Sequence, residues 1–494
     1  MTINSAFSGQ PVLTALLSVL LAALPVAQAG AQRPERKPAD LYSPKLIAEL
    51  KQLQAAAMSS DYGFVQLAHL CNNIGPRLSG SPQAQHAVQY VADEMRRLGL
   101  DVKLEKVMVP HWVRGVETAE LIQFAGQAPK TTQKIVLTAL GGSVATPTEG
   151  LTADVVVVES FEQLASLGRA KIAGKVVLFN ARFDKQMAAQ GFALDAYGQA
   201  VAYRGAGPSA AARLGAVASL VRSVGGADYR LPHTGGFNYA SDAPRIPAAA
   251  VASEDADLIA YLTAKGPVRL HLTLTPQTLP DVESFNVIAD LKGTEHPEQV
   301  IIVSGHLDSW DLGTGAIDDG AGVAVSMQAV QLIKRLGLRP KRTIRMIAWM
   351  NEENGLMGGR TYAENQKSQI ANHVAAIECD SGAGHPIGFS AHVSTAALEM
   401  LRPISAILQA SGAGVLRQSQ NAEGADVWPL DLAGVPTLAP IQDARTYFNY
   451  HHTAADTLDK IVPSELAENA ALVTVLAYAI ANLSERLPHN QPAQ

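Results

Sequence analysis

Residues 299–337 read QVIIVSGHLDSWDLGTGAIDDGAGVAVSMQAVQLIKRLG. The apolar run QVIIVSG has the length and composition of a buried β-strand. The segment GAGVAVSMQAVQLIKRLG carries apolar residues at helical spacing and ends at a glycine, so it predicts a helix. Between the strand and the helix lie His306, Asp308, Asp318 and Asp319. A buried strand that leads through a polar loop into a helix is the unit from which α/β sheets are built.

The same alternation of strands with longer helices continues from Ser284 towards the C-terminus. It favours an α/β fold with a mixed, mostly parallel sheet and helices on both faces. Residues 464–487 are a further helix candidate. The strand candidates are SFNVIADLKG (284–293), QVIIVSG (299–305), TIRMIAWM (343–350), HVAAIECD (373–380) and VPTLAPI (435–441).

These strands run into loops that bear acidic residues or histidines. In α/β sheets, ligand-binding residues cluster beyond the carboxyl ends of the strands. We therefore expect these loops to meet at one edge of the sheet. The residues concerned are His306, Asp308, Asp318, Glu352, Glu353, Asp380 and His452.

The residue types in these loops fit a zinc site. Zinc binds imidazole nitrogen and carboxylate oxygen, and a catalytic zinc keeps one position open for water. Two zinc ions about 3.5–4 Å apart can hold that water and polarise a scissile carbonyl group. Such a pair needs terminal ligands for each ion and a bridging carboxylate. The set His306, Asp318, Glu353, Asp380 and His452 would supply them.

Hydrolysis also needs a carboxylate that is free to take a proton from water. Glu352, next to the candidate ligand Glu353, is the candidate general base. Asp308 follows His306 by two residues, so it can accept the other ring N–H of that histidine and orient it.

Each of these signals has a simpler interpretation when it is taken alone. Asp318 and Asp319 could cap the helix that follows them. Glu352 and Glu353 could form a charged loop, and His452 could lie on the surface. Their joint occurrence at the ends of successive strands is what favours a metal site.

Several motifs make the chain similar to a known family. They are GHLDSWDLGTGAIDDGAG, MNEENG, IECDSG and HHTAADT, together with NNIGPRLSGS near the start and EGADVWPLDLAGVP before the last motif. These motifs resemble the zinc exopeptidase family that includes bacterial leucyl aminopeptidases and plasma glutamate carboxypeptidase. The resemblance is closer to the carboxypeptidase Q members, and it spans nearly the whole mature chain.

The resemblance implies a role for each candidate ligand. His306 and Asp380 would bind one of two zinc ions, Glu353 and His452 the other, and Asp318 would bridge them. The spacing His-Thr-x-x-Asp-Thr selects His452 over its neighbour. The resemblance also implies a zinc exopeptidase fold, a cis peptide bond after Asp318 and a homodimer.

The implied activity is hydrolysis of dipeptides or short peptides with a free amino terminus, by a water molecule that two zinc ions activate. A broader aminopeptidase acting on longer peptides is the alternative within the same class. A non-catalytic, receptor-like binding protein is the alternative from another class, but no ligand position is missing. A one-zinc cyclase of amino-terminal glutamine is disfavoured by the complete ligand set.

The chain divides into four predicted segments. Residues 1–29 resemble a signal peptide, since an apolar stretch precedes Ala27-Gln28-Ala29, so the protein is expected to be secreted or periplasmic. Residues 30–112 and 281–494 would form the catalytic domain. Residues 113–280 are rich in short β-runs and would form an inserted, smaller α/β domain. Its segment RLGAVASLV (213–221) resembles the protease-associated domain.

Composition narrows the remaining classes. The 494 residues are 47% hydrophobic and 17% charged, which is typical of a folded globular protein. A formal net charge of −6 argues against a nucleic-acid partner. We expect a peptide substrate and no membrane span in the mature chain. Cys71 and Cys379 are interpreted as buried thiols, although a disulfide between them stays open.

Other polar residues carry weaker expectations. Tyr447, Tyr450, Asn421 and Asp426 are candidates for positioning a substrate. Ten further histidines lack matching partners in the sequence and are interpreted as surface or packing residues. They are His69, His86, His111, His233, His271, His296, His373, His385, His392 and His489.

Overall fold

A computed structural model of the chain describes residues 41–491. The predicted signal peptide, residues 1–29, lies outside the described residues. The strands are β1 (Asp101–Val113), β2 (Glu117–Gln123), β3 (Gln133–Ile135), β4 (Leu137–Ala139), β5 (Leu151–Val158), β6 (Val176–Phe179), β7 (Ala218–Arg222), β8 (Ala248–Val251), β9 (Arg269–Leu274), β10 (Gln277–Leu291), β11 (His296–His306), β12 (Arg342–Trp349), β13 (His373–Glu378), β14 (Pro386–His392), β15 (Val415–Gln418) and β16 (Thr437–Gln442). The α-helices are α1 (Pro44–Met58), α2 (Tyr62–His69), α3 (Pro82–Arg97), α4 (Phe161–Ile172), α5 (Lys185–Ala189), α6 (Ala193–Arg213), α7 (Ser253–Thr263), α8 (Ala321–Arg335), α9 (Met357–Asn365), α10 (Thr395–Leu408), α11 (Trp428–Leu432) and α12 (Pro463–Asn482).

The first sheet contains the strands predicted from the sequence. It is eight-stranded, in the order β1-β10-β12-β11-β13-β16-β14-β15. Its central strands β12, β11, β13 and β16 are parallel to one another. Antiparallel pairs lie on either side of them. The predicted mixed α/β sheet is therefore confirmed.

Helices cover both faces of this sheet, as the apolar run in β11 predicts. Successive side chains of a strand point to opposite faces. Ile301 and Val303 pack in the core that contains α8 and α12. Val300 and Ile302 pack on the other face, in the cluster that includes residues of α9 and α11. Full burial of each such side chain contributes about 1.5–3 kcal/mol, which holds β11 at the centre of the fold.

Helix α12 ends earlier than the predicted segment 464–487, at Asn482. By length and composition alone this helix could cross a membrane, although the sequence analysis predicts no membrane span in the mature chain. However, 83% of its apolar window is buried inside the protein. It packs against α1 and α8. This burial is the pattern of a core helix.

A second sheet is built from the segment between Glu117 and Leu274. It is eight-stranded, in the order β3-β2-β9-β5-β6-β7-β8-β4. Its apolar core also includes Trp310, which follows the first sheet's β11. A Cβ atom at Gly141 would lie 1.9 Å from the ring of Trp310, so only glycine lets the two approach this closely. The limits 113–280 and the protease-associated assignment stay predictions.

Both cysteines are buried and free. Cys71 and Cys379 form no disulfide, in agreement with the interpretation that they are buried thiols.

Candidate metal centre

The candidate ligands lie at one edge of the first sheet. β11 ends at His306, and the neighbouring strand β12 ends three residues before Glu352. β13 ends two residues before Asp380. Because these strands are parallel neighbours, their carboxyl ends meet at the same edge. Asp318 lies in the short segment Ala316–Gly320 that leads into α8.

One group of side chains, here called the first half-site, consists of His306, Asp318 and Asp380. Nε2 of His306 lies 3.0 Å from Oδ1 of Asp318 and 3.5 Å from Oδ1 of Asp380. One possible ligand atom from each residue lies within 4.8 Å of the others. A spacing of this order can be spanned by a single metal ion.

A second group, the second half-site, consists of Asp318, Glu353 and His452. Nε2 of His452 lies 3.1 Å from Oδ2 of Asp318 and 3.0 Å from Oε2 of Glu353. The possible ligand atoms again lie within 4.8 Å of one another. Asp318 is therefore shared, with Oδ1 towards the first half-site and Oδ2 towards the second.

The contact that Nδ1 of each histidine makes indicates whether its Nε2 atom is free to bind a metal ion. Nδ1 of His306 lies 2.9 Å from the backbone oxygen of Asp308. Nδ1 of His452 lies 3.3 Å from the backbone oxygen of Thr234. A carbonyl oxygen can only accept, so each Nδ1 carries a proton, and in the neutral form of the ring Nε2 presents a lone pair.

When both rings are neutral, each half-site brings together lone pairs that repel one another. The Nε2 lone pairs face carboxylate oxygens at 3.0–3.5 Å, and none of these atoms has a proton to share when the ring is neutral. Oδ2 of Asp318 is buried and has no hydrogen-bond partner. A cation between the atoms of each half-site removes the repulsion, so the residues present fit a metal ion in both places.

The carboxyl groups crowd one another in a buried space. Burial raises the pKa of Glu353 to about 7, and it also raises the pKa of Asp380. Burial, with the neighbouring carboxylates Asp380 and Glu353, holds the pKa of Glu352 well above its ordinary range. Carboxylates packed this closely ionise together only if positive charge lies among them.

Asp319 differs from its neighbour Asp318 in what it contacts. Its carboxylate accepts hydrogen bonds from the backbone N–H groups of His306, at 2.9 Å, and Gly322, at 3.0 Å. It therefore holds the backbone at the start of α8, in the way that a helix-capping residue does. The peptide bond between Asp318 and Asp319 is cis, as the resemblance implies.

The sequence pattern predicts that Asp308 accepts the His306 ring N–H, and Asp308 does lie beside that ring nitrogen. The backbone oxygen of Asp308 makes that contact. Its carboxylate instead accepts from the backbone N–H groups of Asn351, at 2.6 Å, and Glu352, at 3.1 Å, and from the Ser79 hydroxyl. Asp308 therefore positions the loop that carries Glu352.

His233, interpreted from the sequence as a surface or packing residue, lies beside a second buried histidine at the site. It is completely buried, and its Nε2 lies 2.9 Å from Nδ1 of His451. Nε2 of His451 in turn lies 3.3 Å from Oδ2 of Asp318. His233 and His451 are 218 residues apart, so no local pattern in the sequence signals their contact.

An open cleft of about 630 Å³ gives access to both half-sites. Asp318, Glu352, Glu353, Asp380 and His452 line it, and residues of the segment between Glu117 and Leu274 form much of the opposite wall. Among the predicted positioning residues, Tyr447 lines the cleft. Asn421 lines a different cavity, Tyr450 packs beside Lys460, and Asp426 is fully buried.

Comparison with known proteins places this site in a family. The sequence model of peptidase family M28 matches residues 286–477. The chain is 38% identical to carboxypeptidase Q of Rattus norvegicus over 429 residues, which covers 86% of this chain and 87% of that protein.

Solved structures agree with the sequence comparison. The crystal structure of a peptidase M28 precursor from Shewanella amazonensis is similar with a TM-score of 0.85 and 36% identity, and covers 91% of this chain and 99% of that chain. BSAP, a zinc aminopeptidase from Bacillus subtilis, shares the fold at a TM-score of 0.61 and 21% identity, over 84% of this chain and 94% of that chain. The chain therefore belongs to peptidase family M28.

Proposed function

We propose that the protein is a two-metal exopeptidase that hydrolyses dipeptides or short peptides with a free amino terminus. The observation that carries this proposal is the sharing of Asp318 between two half-sites, one on each carboxylate oxygen. A cleft of about 630 Å³ suits a small ligand rather than a folded protein chain.

The five candidate ligands would hold two zinc ions. His306 and Asp380 would bind one ion, Glu353 and His452 the other, and Asp318 would bridge them. When bound, such a pair acidifies a water molecule and polarises the scissile carbonyl group.

Glu352 would act as the general base. It lines the cleft beside both half-sites, but it belongs to neither group of candidate ligands. Its carboxylate would take a proton from the attacking water and return it to the leaving amine. Asp308 would keep the Glu352 loop in place, because its carboxylate accepts hydrogen bonds from the backbone N–H groups of Asn351 and Glu352.

Three finer assignments belong to the same proposal. Residues 1–29 would direct export, so the mature protein would be secreted or periplasmic. Residues 113–280 would form a protease-associated domain that restricts access to the cleft, between the catalytic segments 30–112 and 281–494. The mature enzyme would be a homodimer.

Release of amino acids from three substrates tests the proposed activity. The substrates are a free dipeptide, its N-blocked form and its C-blocked form, each with and without a chelator. Chelator-sensitive cleavage of the free dipeptide, with no cleavage of the N-blocked form, is the expected result. Equal cleavage of the free and C-blocked forms together with longer peptides would indicate the broader aminopeptidase. No chelator-sensitive cleavage of any substrate would overturn the proposal.

A further inference from the structure

Arg114 is a buried cation at the junction between the two sheets. It lies between β1 of the first sheet and β2 of the second, and only 12% of its side chain is exposed. The chain returns to the first sheet close by, where the backbone N–H of Thr275 donates to the backbone oxygen of Val116 at 3.0 Å. The two stretches of chain that connect the sheets therefore run side by side next to Arg114.

The guanidinium of Arg114 binds the loop that follows β11. Its Nε donates to both carboxylate oxygens of Asp311, at 2.8 and 3.0 Å, and its Nη2 donates to one of them at 2.7 Å. The residue before Asp311 is Trp310, which donates its backbone N–H to Oε1 of Glu353 at 3.2 Å. Arg114 therefore fixes the position next to the group that holds Glu353 in the second half-site.

Other N–H groups of Arg114 bind the second sheet beside Thr234. Nη1 donates to the backbone oxygen of Ala139 at 2.8 Å, and Nη2 lies 3.4 Å from the Thr234 hydroxyl oxygen. That hydroxyl group donates to the same backbone oxygen of Ala139 at 2.9 Å. The backbone oxygen of Thr234 lies 3.3 Å from Nδ1 of His452. Arg114 therefore also anchors the residue that orients His452.

The first half-site is held by a different arginine. The side chain of Arg77 is fully buried and donates to three backbone oxygens of the loop between β11 and α8. These oxygens belong to Leu307, Thr314 and Gly315. Neither Trp310 nor Thr234 is hydrogen-bonded to His306 in the part of the chain that the structure describes. The contacts that lead from Arg114 to a candidate ligand therefore end at the second half-site.

We propose that Arg114 is a positioning residue that sets the metal affinity of the second half-site. This inference rests on the proposed two-metal function. A bidentate guanidinium–carboxylate pair fixes its partners in direction as well as in distance. One side chain thereby fixes the two groups that hold Glu353 and His452, so these ligands are already in place when a metal ion binds. Without Arg114 the ligands must be ordered during binding, and the free energy of metal binding falls by that cost.

The variant Arg114→Met tests this role in full-length protein that retains a single half-site. His306→Ala leaves the second half-site, and His452→Ala leaves the first. Zinc dissociation constants are measured by competition with a chelator. In the His306→Ala background, Arg114→Met should raise the dissociation constant by about 10- to 100-fold. In the His452→Ala background, the same change should alter it by less than about twofold.

Two further variants each weaken one of the contacts of Arg114. Asp311→Asn weakens the contact that leads to Trp310. Thr234→Val removes the hydroxyl group but keeps the backbone oxygen that faces His452. In the His306→Ala background each should raise the zinc dissociation constant by less than Arg114→Met does. Adding Asp311→Asn to Arg114→Met should produce little further change, because the contact is already lost. These variants decide the question if Arg114→Met does not fold.

Arg345→Met is the matched control. Arg345 donates to both carboxylate oxygens of Asp290 at 2.7 Å and to the Tyr362 hydroxyl group at 2.8 Å, so it forms a similar bidentate pair within the first sheet. Its side chain is 17% exposed, which is close to the value for Arg114. Both variants should lower the melting temperature, because each leaves a buried carboxylate without its partner. Only Arg114→Met should weaken zinc binding at the second half-site.

The outcomes distinguish this inference from the proposed function. Equal weakening of zinc binding in the two backgrounds, or an equal effect of Arg345→Met, would overturn the positioning role and leave Arg114 as a residue that only stabilises the fold. Unchanged dissociation constants in both backgrounds would also overturn it. Binding of a single zinc ion by the wild-type protein would instead count against the proposed two-metal function.

Discussion

In both half-sites the histidine Nε2 atom lies 3.0–3.5 Å from carboxylate oxygens, but the two histidines are oriented by different parts of the molecule. His306 is oriented by the backbone oxygen of Asp308, two residues away on the same sheet edge. His452 is oriented by the backbone oxygen of Thr234, which belongs to the segment that forms the second sheet. The first half-site is therefore complete within the first sheet. The second depends on the segment between Glu117 and Leu274, which lies between β1 and β10 of the first sheet and is here called the inserted segment.

This difference changes the expected role of the inserted segment. A domain that only covers a cleft would alter substrate access and leave the metal ligands unaffected. Here the segment supplies Thr234 to His452, His233 to His451 and a wall of the cleft that includes Arg204. Groups that orient a metal-binding histidine typically change metal affinity by about 10- to 100-fold when they are disturbed. We therefore expect changes in the inserted segment to alter the metal affinity of the second half-site and not that of the first.

The largest effect is expected where the two half-sites meet. Asp318→Ala removes one oxygen from each half-site, so activity on a free dipeptide should fall to background. The neighbouring variant Asp319→Asn changes a group that contacts only backbone N–H groups and should cause a smaller loss. Steady-state kinetics on both variants provide the measurement. Comparable activity in Asp318→Ala and the wild-type enzyme would show that the half-sites do not share this residue.

Glu352→Gln should separate proton transfer from metal binding. Glutamine keeps the size of the side chain but cannot accept the proton, so kcat should fall by about 10²- to 10⁴-fold. Zinc content should stay at the wild-type level, because Glu352 is not in either half-site. Activity within a few-fold of the wild-type enzyme would remove Glu352 as the base, and parallel loss of zinc would make it a ligand.

A third prediction concerns the outer contact of the second half-site. A Cβ atom at Gly235 would lie 2.3 Å from Nη1 of Arg204, next to the Thr234 carbonyl group, and the φ of +140° also disfavours alanine. Gly235→Ala should therefore weaken binding of one zinc ion by roughly 10-fold and leave the other unchanged. Gly174→Ala is the control, since Gly174 has a positive φ but no atom within 4 Å of the added Cβ. Equal weakening of both ions in a chelator titration would contradict the asymmetry.

The smallest effect is expected for Asp308→Asn, on the side of the first half-site. The backbone oxygen that orients His306 remains, so both zinc ions should stay bound. The amide replaces a carboxylate that accepts hydrogen bonds from the backbone N–H groups of Asn351 and Glu352. The loop that carries Glu352 is then held less well, so kcat should fall by about 10-fold. A loss of zinc from this variant would mean that the carboxylate, and not the carbonyl group, supports His306.

The sequence allowed the first sheet and the inner residues of the site to be predicted for a simple physical reason. Carboxyl ends of parallel strands share one edge, so residues after β11, β12 and β13 had to lie close together. The structure does bring His306, Asp318, Glu353, Asp380 and His452 into two groups, while their binding of metal stays a prediction.

Contacts made across the fold were not accessible in the same way. Thr234, His233 and Arg204 lie 218 to 248 residues from their partners in the HHTAADT motif, and no periodicity encodes that approach. Which atom of Asp308 contacts His306 could not be predicted for another reason. A spacing of two residues brings an acidic residue near a histidine, but it does not decide whether the carboxylate or the backbone oxygen makes the contact.

Metal content tests the central claim, which is a two-ion site bridged by Asp318, most directly. Zinc per chain is measured by mass spectrometry for the wild-type enzyme and for His306→Ala, His452→Ala and Asp318→Ala, after dialysis against a weak chelator. The account predicts two ions in the wild-type enzyme, one in each histidine variant and fewer than one in Asp318→Ala. A single ion in the wild-type enzyme, or two ions in Asp318→Ala, would contradict it.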